Sequence, residues 1–480
     1  MHRRFAQETP AWMLRAGLFA GLIAAFVAPV AHGGVPLYTQ YQLQARANFS
    51  GAFNLPNGAF FANNTPQISD AGRVAFHLSV LPPPNDLKKG IWFGGNGAGS
   101  IVHMAADDAF VSGATLNNNE RVAWEQTFSA QNGLWVYTHS TMTAVRQTTL
   151  PIGASNWSSP TLNDANQIGY RVTFSGTGQA WYSYTPTPAP SAALHVADNG
   201  VLPESPYSFV FTPAFNNQRQ IAGKLRLGPP GQVGNSQPDQ IRIFNADSTS
   251  VLIAEDRDSN PASPFSAFDN SVALTNDGRV AFIANLFAGG RGVYLSDGAT
   301  TIEIAHTATS AATNIEFFAP AVNEQGWVAF RAFEGGFRAI WVGDGTTLRR
   351  VVREHDILPS DLGPARVDQN NASDPVFGGG VSINECGDVI FNAGLAPPDN
   401  DQIEWGSGVY VAIAPRETKG DLDCSCTVTL DDVGPFVQAL IDPVAYGAAH
   451  PDCPIANADF NGDTFADGQD IPHFIAALIP

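Results

Sequence analysis

Runs of about four to eight residues in which apolar and polar side chains alternate, each closed by Asn, Asp or Gly, follow one another along most of the chain. This period predicts short, half-buried strands joined by tight turns. One phrase recurs seven times: Ile68-Ser-Asp-Ala-Gly-Arg-Val-Ala-Phe76 returns at Leu116–Trp124, Leu162–Tyr170, Phe215–Gly223, Leu274–Phe282, Val322–Phe330 and Ile383–Phe391. In each copy an apolar residue ends one strand, Asn or Asp, joined by Gly in four of the seven, tolerates the turn, and Val-Ala-Phe or its equivalent starts the next strand. The copies lie about 45 to 60 residues apart, the spacing of propeller blades and other repeat arrays.

Most copies are followed by a second strand with an aromatic, as at Gly90–Phe93, Gly133–Val136, Gly292–Leu295, Ala339–Val342 and Gly408–Val411, and then a third, as at Ser100–Ala105, Val251–Ala254, Thr301–Ala305 and Leu348–Val352. Each unit therefore supplies about four short antiparallel strands, one blade. The seventh copy lacks its last strand, and Tyr41–Arg46 precedes the first copy without a unit of its own. The expectation is a mainly β fold, a seven-bladed propeller-like domain over 35–417 closed by the N-terminal strand, which leaves no open edge. An open β-solenoid or paired sandwiches is the alternative. The repeated phrase resembles the tandem β-repeat regions of secreted bacterial proteins, a resemblance that carries a propeller-like fold and no activity.

Composition agrees with many turns: Gly (46) and Pro (34) are plentiful and charged residues make up only 14%. A net charge of -19 excludes nucleic-acid binding by phosphate neutralisation. Arg3, Arg4 and Arg15 precede an apolar run from Ala16 to Val30 and the small residues Ala31, His32 and Gly33. That order predicts a secretory signal over 1–33, and hence a secreted, extracellular or cell-surface protein. A membrane anchor, the competing reading, needs about 20 apolar residues, and no later segment is apolar enough to span a bilayer.

From 418 to 480 the pattern changes. Asp421-Leu-Asp-Cys-Ser-Cys-Thr-Val-Thr-Leu-Asp-Asp432 reads as a twelve-position calcium loop, with Asp421, Asp423, Ser425, the Thr427 carbonyl, Thr429 and Asp432 at the ligand positions. Asp459, Asn461, Asp463, the Phe465 carbonyl, Asp467 and Asp470 repeat that register. Calcium takes six to eight oxygen ligands, which alternate carboxylates on a curved loop supply. Each loop is followed by an amphipathic helix, Val433–Ile441 and Ile471–Ile479. The segment looks like a type I dockerin over about 420–480. The resemblance implies two calcium ions, calcium-dependent folding and docking onto a cohesin-like receptor. It departs at position 6, where Cys426 and Thr464 replace the usual Gly, and at Ser425, so the first site is expected to be the weaker.

Cys424 and Cys453 bracket the first helix and are expected to staple this small segment. Cys386 and Cys426 either pair across the domain boundary or stay free. No cysteine set has zinc spacing.

No nucleophile elbow, phosphate loop, zinc-protease helix or dinucleotide fingerprint is present. Residues that break the repeat, Glu125, Glu255-Asp256-Arg257-Asp258 and Arg353-Glu354-His355-Asp356, are candidates for chemistry, with solvated loops the blander reading. Trp157, Trp181 and Trp405 are candidate exposed platforms for sugar rings, whereas Trp92, Trp135 and Trp341 sit where blades pack. The expectation is a non-catalytic binding or structural protein assembled through its calcium loops, with a polysaccharide among its possible ligands. The alternative is a glycoside hydrolase or polysaccharide lyase with a propeller active site.

Overall fold

A computed structural model describes residues 34–480 except 49–50, 62–63, 82–86, 107–108, 129–130, 148–150, 152, 188, 235, 370–375, 417–418, 427, 451–452 and 479–480. The signal expected over 1–33 and Thr427, an expected ligand position, lie outside the described residues. Seven antiparallel sheets form the blades of a β-propeller. Blade 1 shows the plan: a broken inner strand (Ala59–Phe60, Gln67–Ile68), then Arg73–Val80, Lys88–Gly95 and Ala98–Met104. Blade 7 is built from Phe377–Ile383, Val389–Ala396 and Gly406–Ile413, and Gln40–Ala47 adds its outer strand, pairing from Gln40↔Ile413 to Ala47↔Ser407. The closure expected from the orphan N-terminal strand is therefore observed. One element was not anticipated: a hairpin, Ile357–Ser360 with Gly363–Val367, lies between blades 6 and 7 and joins the edge of Val389–Ala396.

Each repeated phrase forms the turn between the first and second strands of a blade. Its fifth residue takes positive φ in every copy, at Gly72, Glu120, Asn166, Arg219, Gly278, Gly326 and Gly387, the conformation that Gly and Asn adopt most cheaply. Its last residue is a buried aromatic in all but the fourth copy, as Phe76, Trp124, Tyr170, Phe282, Phe330 and Phe391; in the fourth it is the buried Gly223. The exception has a cause. A Cβ on Gly223 would lie 2.6 Å from the ring of Trp181, which reaches over from blade 3. Trp181 is fully buried and donates its indole N–H to the Phe211 carbonyl at 2.9 Å, so it is not the exposed platform expected of it. Trp157 and Trp405 are half-buried.

Apolar side chains collect between adjacent blades. The blade 7–blade 1 core contains Ala45, Ile390, Val409 and Val411 from one side and Val74, Phe76 and Trp92 from the other. Equivalent clusters lie at the other six junctions. Each fully buried side chain of this size contributes roughly 2–3 kcal/mol. The junctions are also tied at the turns. The backbone N–H of Asp70 donates to Asn118 Oδ1, that of Asn118 to Asp164, and so on through Asn217, Asn276, Glu324 and Glu385 back to Asp70 Oδ1, at 2.7–3.0 Å throughout. Seven bonds of one kind thus close a circle around the axis.

After Ala414 the chain becomes helical: α1 (Val433–Ile441), α2 (Pro443–Ala449) and α3 (Ile471–Leu478). Leu422, Phe436, Tyr446, Cys453 and Phe474 form their own small core. Among the described residues no helix is long and apolar enough to cross a membrane.

Candidate functional site

The two acidic loops precede α1 and α3 and share one set of backbone-to-carboxylate bonds. In the first, the N–H groups of Leu422 and Asp423 donate to Asp432 Oδ1, Thr429 N–H to Asp432 Oδ2 and Cys426 N–H to Asp421 Oδ2, at 2.7–3.1 Å. In the second, Phe460 and Asn461 donate to Asp470 Oδ1, Asp467 to Asp470 Oδ2 and Thr464 to Asp459 Oδ2, at 2.7–3.0 Å. Position 6 is left-handed in both, at Cys426 (φ 73°) and Thr464 (φ 75°). The turn that glycine usually makes is thus made here by two side-chain-bearing residues.

The loops differ in charge. Asp421, Asp423 and Asp432 bring one oxygen each within 4.8 Å of one another, and Asp421 Oδ1 is buried with no hydrogen-bond partner. Burial, reinforced by Asp432 and Asp423, pushes the Asp421 carboxyl up to about 7, and burial also raises Asp432. An orphaned buried oxygen beside two further carboxylates fits a hard cation. In the second loop burial raises Asp470, but the N–H groups of Asp467, Asn461 and Phe460, with Lys419, outweigh it and hold the carboxyl below its ordinary value. Lys419 Nζ lies 3.8 Å from Asp459 Oδ2. Thr429 caps the helical turn before α1, accepting from Asp431 N–H, whereas Ser425 N–H bonds Asp423 at 2.9 Å and the Phe465 side chain is exposed. Asp463 accepts from Phe465 N–H at 2.9 Å.

Both disulfides involve this segment. Cys424 pairs with Cys453, as the bracketing of α1 suggested, and Cys386 pairs with Cys426. The second bond joins the blade 7 turn to position 6 of the first loop.

The opposite ends of the blades carry a different constellation. The residue after each phrase is His77, Glu125, Arg171, Lys224, Ile283, Arg331 and Asn392, unlike side chains at one repeated position. This irregularity within a regular pattern was readable in the sequence and was used only at Glu125. Lys224 leads to a pocket of about 340 Å³ between blades 4, 5 and 6, lined by Arg226, Asp239, Asp256, Asp269, Asn270 and Phe317 among others. Lys224 Nζ lies 3.1 Å from Asp239, and Arg226 Nε 2.8 Å from the same carboxylate. Burial lowers the Lys224 ammonium and raises the Asp269 and Asp256 carboxyls. The pocket shares Ser271 and Ala319 with the axial channel, of about 740 Å³, lined by residues of all seven blades.

Of the acidic outliers, Asp256 reaches this pocket, its oxygens engaged by the N–H groups of Ser259 and Asp239. Glu125 is buried, accepts from the Ser112 hydroxyl, and leaves Oε2 unpartnered, so burial raises its carboxyl. Glu354, His355 and Asp368 cluster within 4.8 Å, but Arg366 Nε stands 2.8 Å from Asp368 Oδ2 and already supplies a positive charge there. Glu255 is held by Gln240 and Asn260, and Arg257 stacks 3.7 Å over Phe287. Arg353 and Asp356 bond each other through Arg353 N–H.

Fold and pocket define a seven-bladed β-propeller. A family of unknown function (DUF7453) matches residues 227–414, blades 4 to 7 in large part. No curated protein matches the chain. Among solved structures it is similar to an oligogalacturonate lyase from Vibrio parahaemolyticus, at 8% identity and a TM-score of 0.50 over 79% of this chain and 98% of that one. The β-propeller domain of the Trilobed protease from Pyrococcus furiosus, described as having an open velcro topology, matches at 11% identity and a TM-score of 0.48 over 74% and 95%. At such identities the likeness concerns the fold alone.

Proposed function

We propose that the protein is a secreted, non-catalytic binding or structural protein whose C-terminal loops take up two calcium ions and dock it, in the manner of a dockerin, onto a cohesin-like receptor. The observation that carries this reading is the repeated carboxylate cage with its orphaned Asp421 oxygen. Asp421, Asp423 and Asp432 would hold the first ion; Asp459, Asn461, Asp463, Asp467 and Asp470 offer the oxygens for the second. Ser425 argues for weaker binding at the first loop, and Lys419 must withdraw before the second fills. Docking is supported by two exposed apolar stripes at helical spacing, Val433, Val437 and Ile441 on α1 and Ile471 and Ile475 on α3. Disulfides favour an oxidising compartment. In the blade-end pocket Asp239 and Asp256 are engaged through both oxygens by cations or backbone N–H groups and Asp269 through one, by Arg291, which supports binding over hydrolysis there.

The test is calorimetric titration of the chelator-stripped full chain with calcium. Two binding events are expected, of which Asp421→Ala removes one and Asp459→Ala the other. Absence of binding heat, or unchanged proteolysis of the C-terminal segment with and without calcium, would overturn the reading.

A further inference from the structure

We infer that the pocket between blades 4, 5 and 6 binds an uncharged sugar ring of a glycan; the inference rests on the non-catalytic binding role proposed above and names its ligand class. Its volume, about 340 Å³, falls at the small end of the roughly 300–1,000 Å³ range of small-molecule sites. Charge decides what kind of molecule enters. Lys224, Arg226 and Arg291 stand against Asp239, Asp256 and Asp269: Asp239 takes both Lys224 and Arg226, Arg291 bonds Asp269, and Asp256 is capped by backbone N–H groups. Three cations and three anions leave no net charge. A charged ligand would have to separate one of these buried pairs and strand its partner, which a neutral ligand avoids.

What remains open for bonding suits hydroxyl groups. Asp269 Oδ1, the amide nitrogens of Asn270 and Asn285 and the Ser271 hydroxyl make no hydrogen bond among the described residues. They offer an acceptor, two donors and a group that does both, the complement of neighbouring sugar hydroxyls, each of which donates and accepts. Phe317 supplies the apolar part. It is 79% exposed, with the Arg291 guanidinium 4.0 Å from its ring centre on one side. The remaining aromatic surface can stack on the C–H face of a pyranose. Because the pocket adjoins the channel, with which it shares Ser271 and Ala319, a chain of sugars can be followed from the first ring toward the axis.

The experiment titrates the full-length protein with neutral cello-, xylo- and manno-oligosaccharides and, in parallel, with oligogalacturonate, each in calcium and in EDTA. At least one neutral oligomer is expected to bind saturably, equally with and without calcium, and about tenfold more weakly to Phe317→Ala. That substitution lies at an exposed position, so circular dichroism should match the parent. The inference is overturned if no neutral oligomer saturates, if Phe317→Ala binds as the parent does, or if oligogalacturonate binds more tightly. Calcium titration with normal heats but no glycan binding would remove this inference alone. Glycan binding without calcium heats would remove the docking reading and leave this one standing.

Discussion

The residue before each turn needs a side chain that can accept and donate at once, and asparagine does both. Asn163 Oδ1 accepts from Gln167 N–H within its own turn while Nδ2 donates to the Asn216 carbonyl of the next blade; Asn117, Asn216, Asn323 and Asn384 make the same two kinds of bond. Ser69 and Thr275, with hydroxyls instead, cap their own turns only. The next position closes the circle of N–H bonds, and there acidic side chains meet. Burial, with Asp70 and Glu324 nearby, pushes the Glu385 carboxyl up to about 8. The folded protein therefore keeps a proton that the unfolded chain releases. This contribution to stability is complete below the ordinary carboxylate range and is lost as pH rises through about 8. Melting temperature should accordingly fall between about pH 5 and pH 9 in the parent. Glu385→Gln, which keeps the acceptor for Glu324 N–H, should flatten that slope; identical slopes by scanning calorimetry would show that the proton resides elsewhere.

At the scale of elements, the closing strand does more than pair. Arg46, almost fully buried on Gln40–Ala47, donates Nε and Nη2 to Asp361 at 2.8 and 2.9 Å and Nη1 to the Trp405 carbonyl at 2.7 Å, fastening the inserted hairpin to blade 7. Arg46→Ala should cost about 3 kcal/mol, since it leaves the Asp361 carboxylate without its partner. Denaturant unfolding measures the loss, and hydrogen exchange should rise first in residues 40–47. The blades were legible because their turns repeat: seven phrases with Asn or Asp at the second or third position, and Gly at the fifth in four of them, have one local solution. The closing strand was legible because a blade one strand short and a strand without a blade complement each other. The hairpin at 357–367 does not repeat and was missed. Trp181 was misread because its burial depends on Gly223 in the next blade, a relation between units that no single window contains. The pairing of Cys386 with Cys426 was left open for the same reason. The pocket escaped because its lining comes from the non-repeating ends of three blades, although the row of unlike residues from His77 to Asn392 marked the layer.

For the molecule as a whole, a ring of shared cores and a helical segment with its own small core should respond to different conditions. Calorimetry in EDTA is expected to show two transitions, the lower one belonging to the helical segment and shifting upward with calcium, because an ion that binds only the folded loops stabilises them. One transition, unmoved by calcium, would contradict this division. Reduction should lower the first transition further, since each disulfide typically contributes about 2–4 kcal/mol. The bond between Cys386 and Cys426 also has a mechanical meaning. A pull applied through the helical segment bypasses the stretch that follows Ala414 and enters the propeller at the blade 7 turn. To tear the chain away, that load would have to draw Phe377–Ile383 and Val389–Ala396 together lengthwise against Gly406–Ile413, which Gln40–Ala47 holds along its other edge. Ladders loaded in shear yield together, whereas those peeled from one end yield bond by bond, so the blade closed by the N-terminal strand is the one placed to bear tension.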